Sequence, residues 1–260
     1  MRITIIGSGN VATHLSAALK NAGHRIVQVY SRDMHNATLL AYHVGAEAID
    51  DLRDINPQTD LFIIAVKDDA IIETAAHLAA YSKLIAHTSG AVDLEQLLNI
   101  TPLAGVFYPL QTFSKTKEVD FREVPMCIEG ADEDIVKTLE ALARDVSNSV
   151  YRISSAQRKV LHLSAVFACN FVNHLYGIGE QLLKDSEMDF DLLRPLIKET
   201  ADKAMLNSPY TVQTGPAVRN DKNTMGTHLQ LLKAQPHLQR IYEMLSQDII
   251  KNHNKGNGDK

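Results

Sequence analysis

The sequence has few of the residues that build covalently or metal-stabilised scaffolds. It contains only two cysteines, Cys127 and Cys169, which do not form a CxxC pair, and it has no tryptophan. Its histidines show no HExxH or other spacing typical of a metal site. These absences exclude a disulfide framework and a thiolate metal cluster, and we expect no metal cofactor.

Long apolar runs and basic tracts are also missing. The run at residues 61–66 is far shorter than the roughly 20 residues that span a bilayer. The N-terminus has no long apolar segment and no small-residue cleavage site, so we expect a cytoplasmic protein without a membrane partner. Lysine and arginine number 26 against 31 acidic residues, a net charge of −5. This charge balance provides no basic tract of the kind that binds nucleic acid, so we expect no nucleic-acid partner.

The first part of the sequence alternates between short apolar runs and amphipathic stretches. The predicted strands are 2–6, 25–30, 61–66, 83–87, 104–108, 125–128 and 149–152, and the predicted helices are 11–22, 33–44, 69–80 and 132–146. Continuous Val/Ile/Leu strands separated by helices are typical of a parallel sheet covered on both faces. The sequence therefore predicts an α/β fold with a doubly wound, mostly parallel Rossmann sheet.

The pattern becomes entirely helical after residue 152. Helices are predicted at 154–184, 190–207, 221–233 and 236–251, and Ser154 or Ser155 can cap the first of them. We therefore expect a nucleotide-binding domain at 1–152, an all-α domain for substrate binding and dimerisation at 153–252, and a flexible polar tail at 253–260.

A GxGxxA fingerprint follows the first predicted strand, with the sequence GSGNVA at residues 7–12. Gly7 permits the tight turn, Gly9 allows a pyrophosphate to approach the backbone, and Ala12 allows close packing of the helix. The helix N-terminus then offers free N–H groups to phosphates. The predicted dinucleotide contacts are Gly7, Ser8, Gly9, Asn10 and Val11; the alternative is an ordinary structural turn.

The end of the second strand indicates which dinucleotide is bound. NAD sites usually place Asp or Glu there, whereas this chain has Ser31 and Arg32. Both can donate hydrogen bonds to a 2′-phosphate, and arginine adds a matching charge. This favours NADP over NAD, unless Arg32 is merely solvated while Asp33 caps the next helix.

A second loop of the predicted ligand crevice follows the strand at 61–66. Ala65, Val66 and Lys67 can line the ribose on the nicotinamide side. The alternative is a plain loop in which Asp68 or Asp69 caps the following helix.

These motifs resemble the 6-phosphogluconate dehydrogenase-like superfamily, which includes pyrroline-5-carboxylate reductases and F420-dependent NADP oxidoreductases. Four further stretches resemble a branch with a C-terminal helical domain of unknown function (DUF2520); they lie at 87–91, 108–114, 162–171 and 214–221. The resemblance implies two domains and a homodimer formed through the helical domain. The β-hydroxyacid branch has a lysine four residues before its helix asparagine, but here Val166 precedes Asn170, so that mechanism does not carry over.

The long helix supplies the candidate catalytic groups. With about 100° per residue, Lys159 aligns with Asn170 and His162 aligns with Asn173. We predict His162 as the acid/base, Asn170 as an orienting amide and Lys159 as a substrate contact. The alternative is that His162 is a packed or exposed structural residue.

Two loops can complete the site. Ser89 is a candidate catalytic residue, and with Gly90 it can bind a carboxylate or an oxyanion; alternatively, Gly90 serves a tight turn. Arg219 can bind an anionic substrate, or it forms a structural pair with Asp221, which would cap a helix.

Taken together, the residues favour an NADP-dependent oxidoreductase that transfers hydride between NADPH and a small carbonyl or imine in an interdomain cleft. The alternative is a protein that binds NADP(H) as a sensor or partner without turnover.

Overall fold

The computed structural model describes residues 1–114 and 116–256. The chain divides into two compact units, Met1–Leu175 and Tyr176–Lys260. None of the helices in the described part of the chain is both long enough and apolar enough to span a membrane.

The first unit is built on one sheet of eight strands. The strands are β1 (Arg2–Ile6), β2 (Arg25–Tyr30), β3 (Glu47–Ile49), β4 (Leu61–Ile64), β5 (Leu84–His87), β6 (Ala104–Pro109), β7 (Met126–Gly130) and β8 (Val150–Arg152). Their spatial order is β3-β2-β1-β4-β5-β6-β7-β8. All neighbours are parallel except β6 and β7. The predicted mostly parallel sheet is confirmed.

Helices cover both faces of this sheet. They are α1 (Asn10–Asn21), α2 (Met34–Val44), α3 (Ile71–Leu78), α4 (Leu94–Leu98) and α5 (Glu133–Val146). One buried cluster joins β1 to α1, α2 and α5 through residues such as Ile5, Leu15 and Leu139. A second cluster on the other face joins β4 to α3 and α4 through Phe62, Ile71 and Leu97. The fold is therefore doubly wound, as the buried strands predict.

The long predicted helix at 154–184 has an interruption. It consists of α6 (Ser155–Ala165), a π-helical turn (Val166–Phe171) and α7 (Val172–Lys184). Ser154 caps it by accepting from the N–H of Gln157, whose side chain accepts from the Ser154 N–H in return, a capping box. The predicted serine cap is confirmed.

The described part of the second unit, residues 176–256, contains three further α-helices, part of α7 and a 3-10 turn at Phe190–Leu192. The three α-helices are α8 (Arg194–Leu206), α9 (Lys222–Leu231) and α10 (Pro236–Gly256). The Asp221 carboxylate accepts from the Thr224 N–H and so caps α9. The last helix extends to Gly256, and residues 257–260 of the predicted tail lie outside the described residues.

Candidate functional site

The glycine-rich turn joins β1 to α1 in a conformation that needs glycine. Gly7 has φ +123°, and an added Cβ would lie 2.3 Å from the carbonyl oxygen of Ala65. The Gly7 N–H donates to the carbonyl of Tyr30 at 2.8 Å. Gly7 therefore closes the turn against the ends of two neighbouring strands.

The N-terminus of α1 has the features of a phosphate-binding site. The N-cap residue is Gly9, which has no side chain to accept hydrogen bonds from the first N–H groups, and the first turn has no acidic residue. The position of a Cβ on Gly9 has no neighbour within 4 Å. Free N–H groups and the positive end of the helix dipole therefore face open space, which suits a diphosphate.

The predicted 2′-phosphate residues lie beside this turn. The Ser8 hydroxyl donates to the Ser31 hydroxyl at 3.0 Å, which links β1 and β2 at their carboxyl ends. Asp33 caps α2 by accepting from the N–H of His35 at 2.9 Å. The capping role of Asp33 leaves Ser31 and Arg32 available for a ligand.

The loop after β4 lies on the other side of the turn. The Ala65 N–H donates to the carbonyl of Ile6 at 2.7 Å, so this loop is fixed to β1. Ala70 rather than an aspartate precedes α3, and no side chain in the described structure caps that helix. The alternative role of Asp68 or Asp69 as the cap of α3 is therefore not observed.

A cavity of about 1150 Å³ in the first unit runs along the carboxyl edge of the sheet. All ten residues predicted to contact the dinucleotide line it: Gly7, Ser8, Gly9, Asn10, Val11, Ser31, Arg32, Ala65, Val66 and Lys67. In the sheet, β2 and β3 lie on one side of β1, whereas β4, β5 and β6 lie on its other side. The cavity therefore extends in both directions from the glycine turn. This is the crevice in which such folds bind dinucleotides.

The loop after β5 forms another wall of the cavity. The Ser89 hydroxyl oxygen accepts from the N–H groups of Ala91 and Val92, so it organises its own loop. The Ser89 N–H donates to Nδ1 of the buried His87. Burial, with the nearby Arg158 charge as a second cause, lowers the pKa of His87 to about 3. His87 is thus a neutral residue beneath the cavity.

His162 and Tyr108 meet at this wall. His162 projects from α6 and Tyr108 from the end of β6, and both line the cavity with Ser89 and Gly90. The Tyr108 hydroxyl lies 3.2 Å from Nδ1 of His162. Burial is the main reason that the pKa of Tyr108 rises to about 12. Sequence reasoning missed Tyr108, although it begins one of the stretches that carry the family resemblance.

Arg158 fixes α6 to the sheet one turn before His162. Its side chain is fully buried and forms an ion pair with Glu129 of β7. It also donates to the carbonyl of Val92, and Glu129 in turn accepts from the N–H and hydroxyl of Ser155. These contacts set the position of His162 relative to the loop after β5.

Two predicted residues of the first unit, Lys159 and Asn170, are not among those that line this cavity. The Lys159 ammonium binds the Asp93 carboxylate at 2.7 Å. Asn170 is exposed within the π-helical turn, where each turn takes more residues than in an α-helix. The predicted alignments of Lys159 with Asn170 and of His162 with Asn173 assumed an unbroken α-helix, and the π-helical turn interrupts it. Arg219 is an exposed residue of the second unit. Substrate contact by Lys159, Asn170 or Arg219 stays a prediction.

Two family models match the chain. Residues 2–88 match a model described as NADP oxidoreductase, coenzyme F420-dependent, and residues 124–249 match a domain of unknown function (DUF2520). No curated protein matches this chain. The two matches together confirm the predicted resemblance, and the match at residues 2–88 confirms the prediction of NADP as the cofactor.

Solved structures match nearly the whole chain. A Bacteroides fragilis protein named as an NADP oxidoreductase is 45% identical, with a TM-score of 0.92, over 96% of this chain and 98% of its own. A Thermotoga maritima protein is 21% identical, with a TM-score of 0.74, over 98% and 99%. An imine reductase of Myxococcus stipitatus, in complex with NADP+, is 13% identical, with a TM-score of 0.70, over 98% and 95%. The last two similarities establish a common fold.

Proposed function

We propose that this chain, which belongs to the family of NADP oxidoreductases with a C-terminal DUF2520 domain, is an NADPH-dependent reductase of a small carbonyl or imine compound. The observation that carries the proposal is that the ten predicted dinucleotide residues and His162 line one cavity. A group able to hold a proton is thereby placed in the same crevice as the nucleotide-binding turn.

The residues present suit NADP(H). The N–H groups at the start of α1 would bind the diphosphate, and Ser31 and Arg32 would bind the 2′-phosphate. Ala65, Val66 and Lys67 lie across β1 from them and would hold the nicotinamide ribose. When bound, NADPH supplies a hydride to the substrate.

His162 supplies the proton that a reduced C=O or C=N bond requires. Imidazole is suited to proton transfer near neutral pH. The Nε2 atom of His162 has no hydrogen-bond partner among the residues that the structure describes, so it can bind a substrate. Ser89 and Gly90 border the same space and limit how the substrate can orient.

The test is NADPH oxidation with a panel of keto acids, aldehydes, ketones and imines, comparing wild type with His162→Gln. The variant should bind NADPH with unchanged affinity and lose about 100-fold or more in turnover, the range for a general acid. His174→Gln, the same substitution at an exposed histidine of α7 outside the cavity, is the matched control and should leave turnover unchanged. Tight NADPH binding without turnover of any compound would instead indicate a nucleotide-binding sensor.

We also propose that the protein is a homodimer. Val160 and Leu163 of α6 and Phe167 and Phe171 of the π-helical turn are all about half or more exposed, and the two phenylalanine rings meet edge to face with centroids 5.1 Å apart. A continuous apolar face of this kind marks a protein contact, and in a symmetric dimer the same face serves both subunits.

Light scattering during gel filtration tests the dimer. Wild type should elute with twice the mass of the chain, and Phe167→Asp should elute as a monomer. Leu39→Asp introduces the same charge at an exposed leucine of α2 and should leave the dimer intact. A monomeric wild type would contradict the proposal.

A further inference from the structure

The contact between Tyr108 and His162 joins two residues that are 54 positions apart. The Tyr108 hydroxyl lies 3.2 Å from Nδ1 of His162, and the two rings meet edge to face with centroids 6.3 Å apart. Tyr108 is almost completely buried, whereas the imidazole lies at the cavity wall. Nδ1 is therefore already bonded, and Nε2 on the far side of the ring is the nitrogen left for a ligand.

Gly90 makes room for this contact. A Cβ on Gly90 would lie 2.7 Å from Nδ1 and 2.8 Å from Cγ of His162, and 3.0 Å from Cζ of Tyr108. The φ of Gly90 lies outside the positive region that favours glycine. The backbone conformation of this turn thus does not require glycine, but the position of the imidazole does.

The phenol group suits an imidazole that changes charge. The raised pKa of Tyr108 keeps its hydroxyl protonated, so the oxygen has one hydrogen to donate and lone pairs to accept. It can donate to Nδ1 of neutral His162, and it can accept the Nδ1 hydrogen of protonated His162. Phenylalanine has nearly the same shape and can do neither.

We propose that Tyr108 is a positioning residue that holds the His162 ring, in both of its charge states, with Nε2 directed to the substrate. The inference rests on the proposed reductase function. Hydride addition forms a C–H bond at the substrate carbon, and the π electron pair of the C=O or C=N bond moves to its oxygen or nitrogen. In the charged state, Nε2 gives its proton to that oxygen or nitrogen, and the hydrogen bond from Nδ1–H to Tyr108 remains. A proton from water later restores Nε2–H.

The experiment reads the histidine nitrogens directly. The full chain is labelled with ¹⁵N-histidine, and imidazole ¹H–¹⁵N spectra are recorded at alkaline pH. His162→Gln identifies the His162 signals by their loss. Wild type should show a protonated Nε2 and an Nδ1 shifted by an accepted hydrogen bond. In Tyr108→Phe the Nδ1 signal should move to that of an unbonded nitrogen, while Tyr151→Phe, an exposed tyrosine of β8, should leave it unchanged.

Turnover supplies the second readout. Tyr108→Phe should lower kcat about tenfold or more, part of the contribution of a general acid, with unchanged NADPH affinity. An unchanged Nδ1 signal overturns the positioning role whatever the activity, and so does a moved signal with wild-type kcat. Absence of turnover in wild type overturns the reductase proposal, and with it the role of Tyr108 in catalysis. The spectra would still report whether the hydrogen bond between Tyr108 and His162 exists.

Gly90→Ala provides an independent variant should Tyr108→Phe fail to fold. Its methyl group displaces the imidazole while the Tyr108 hydroxyl is retained. The Nδ1 signal should again move, and kcat should fall. A Gly90→Ala protein with wild-type His162 signals and activity would contradict the proposed geometry.

Discussion

The two glycines of the β1–α1 turn should respond differently to the same added methyl group. Gly7→Ala places a Cβ against the Ala65 carbonyl at a positive φ, so it should lower the free energy of unfolding by about 2 kcal/mol or more and abolish NADPH binding. Gly9→Ala meets open space and should weaken NADPH binding with little loss of stability. Urea unfolding and calorimetric titration measure the two effects. Equal stability of the two variants would contradict the close approach at Gly7.

Arg32 should decide the preference between the two dinucleotides. Arg32→Ala removes a guanidinium suited to the 2′-phosphate, so NADPH affinity should fall about tenfold or more while NADH affinity changes little. Arg25→Ala removes an exposed arginine at the start of β2, far from the end of that strand that Arg32 follows, and is the matched control. An NADPH-to-NADH affinity ratio that is unchanged in Arg32→Ala would contradict this assignment.

Residues close in sequence were predictable, whereas their distant partners were not. Gly7, Gly9 and Arg32 could be predicted because all three belong to one βαβ unit, in which dinucleotide binding requires particular residues at fixed spacings. Tyr108 lies within the fully buried strand β6, and its sequence context is therefore that of a core aromatic residue. Only the packing of α6 against the loop after β5 brings His162 to it.

At the scale of elements, one buried arginine should be critical for the placement of α6. Arg158→Met leaves the Glu129 carboxylate without its cation, which should cost about 3 kcal/mol in unfolding free energy. Lys159→Met removes the neighbouring, half-exposed pair with Asp93 and should cost less than about 1 kcal/mol. Chemical denaturation of both variants provides the comparison. Similar losses would show that burial does not distinguish the two ion pairs.

The elements that the sequence analysis missed are short or irregular. Strand β3 has three residues, α4 has five, and neither is long enough to show a clear period. The π-helical turn preserves an apolar helical pattern, so nothing in the sequence marks the extra residue per turn. Fully buried strands such as β4 were predictable because burial on both faces requires a continuous apolar run.

At the scale of the whole molecule, His87 should make folding stability sensitive to acid. Its pKa of about 3 in the folded chain lies below the value of about 6.5 for an unfolded histidine. Between these pH values only the unfolded chain binds the proton. The stabilising contribution is therefore complete above about pH 6.5 and is lost as the pH falls toward 3, by up to about 1.4 kcal/mol per pH unit.

His87→Asn tests this dependence because the amide oxygen can still accept from the Ser89 N–H, as Nδ1 does in wild type. Urea unfolding across the acidic pH range should show a shallower loss of stability in the variant. His43→Asn, at an exposed histidine of α2, should retain the wild-type slope. If the free energy of unfolding falls with pH equally steeply in wild type and in His87→Asn, the prediction is refuted.

The helix that begins at the glycine turn also holds the segment that follows β6. The Asn10 side chain donates to the carbonyl of Phe113, and His14 binds the carbonyl of Ser114, each at 2.9 Å. The two side chains are one helical turn apart, and the His14 ring also stacks on Phe113. The attachment is therefore redundant: the loss of either side chain alone should leave the segment attached, whereas the loss of both should release it. For this attachment, the effect of a substitution at one position thus depends on the residue at the other.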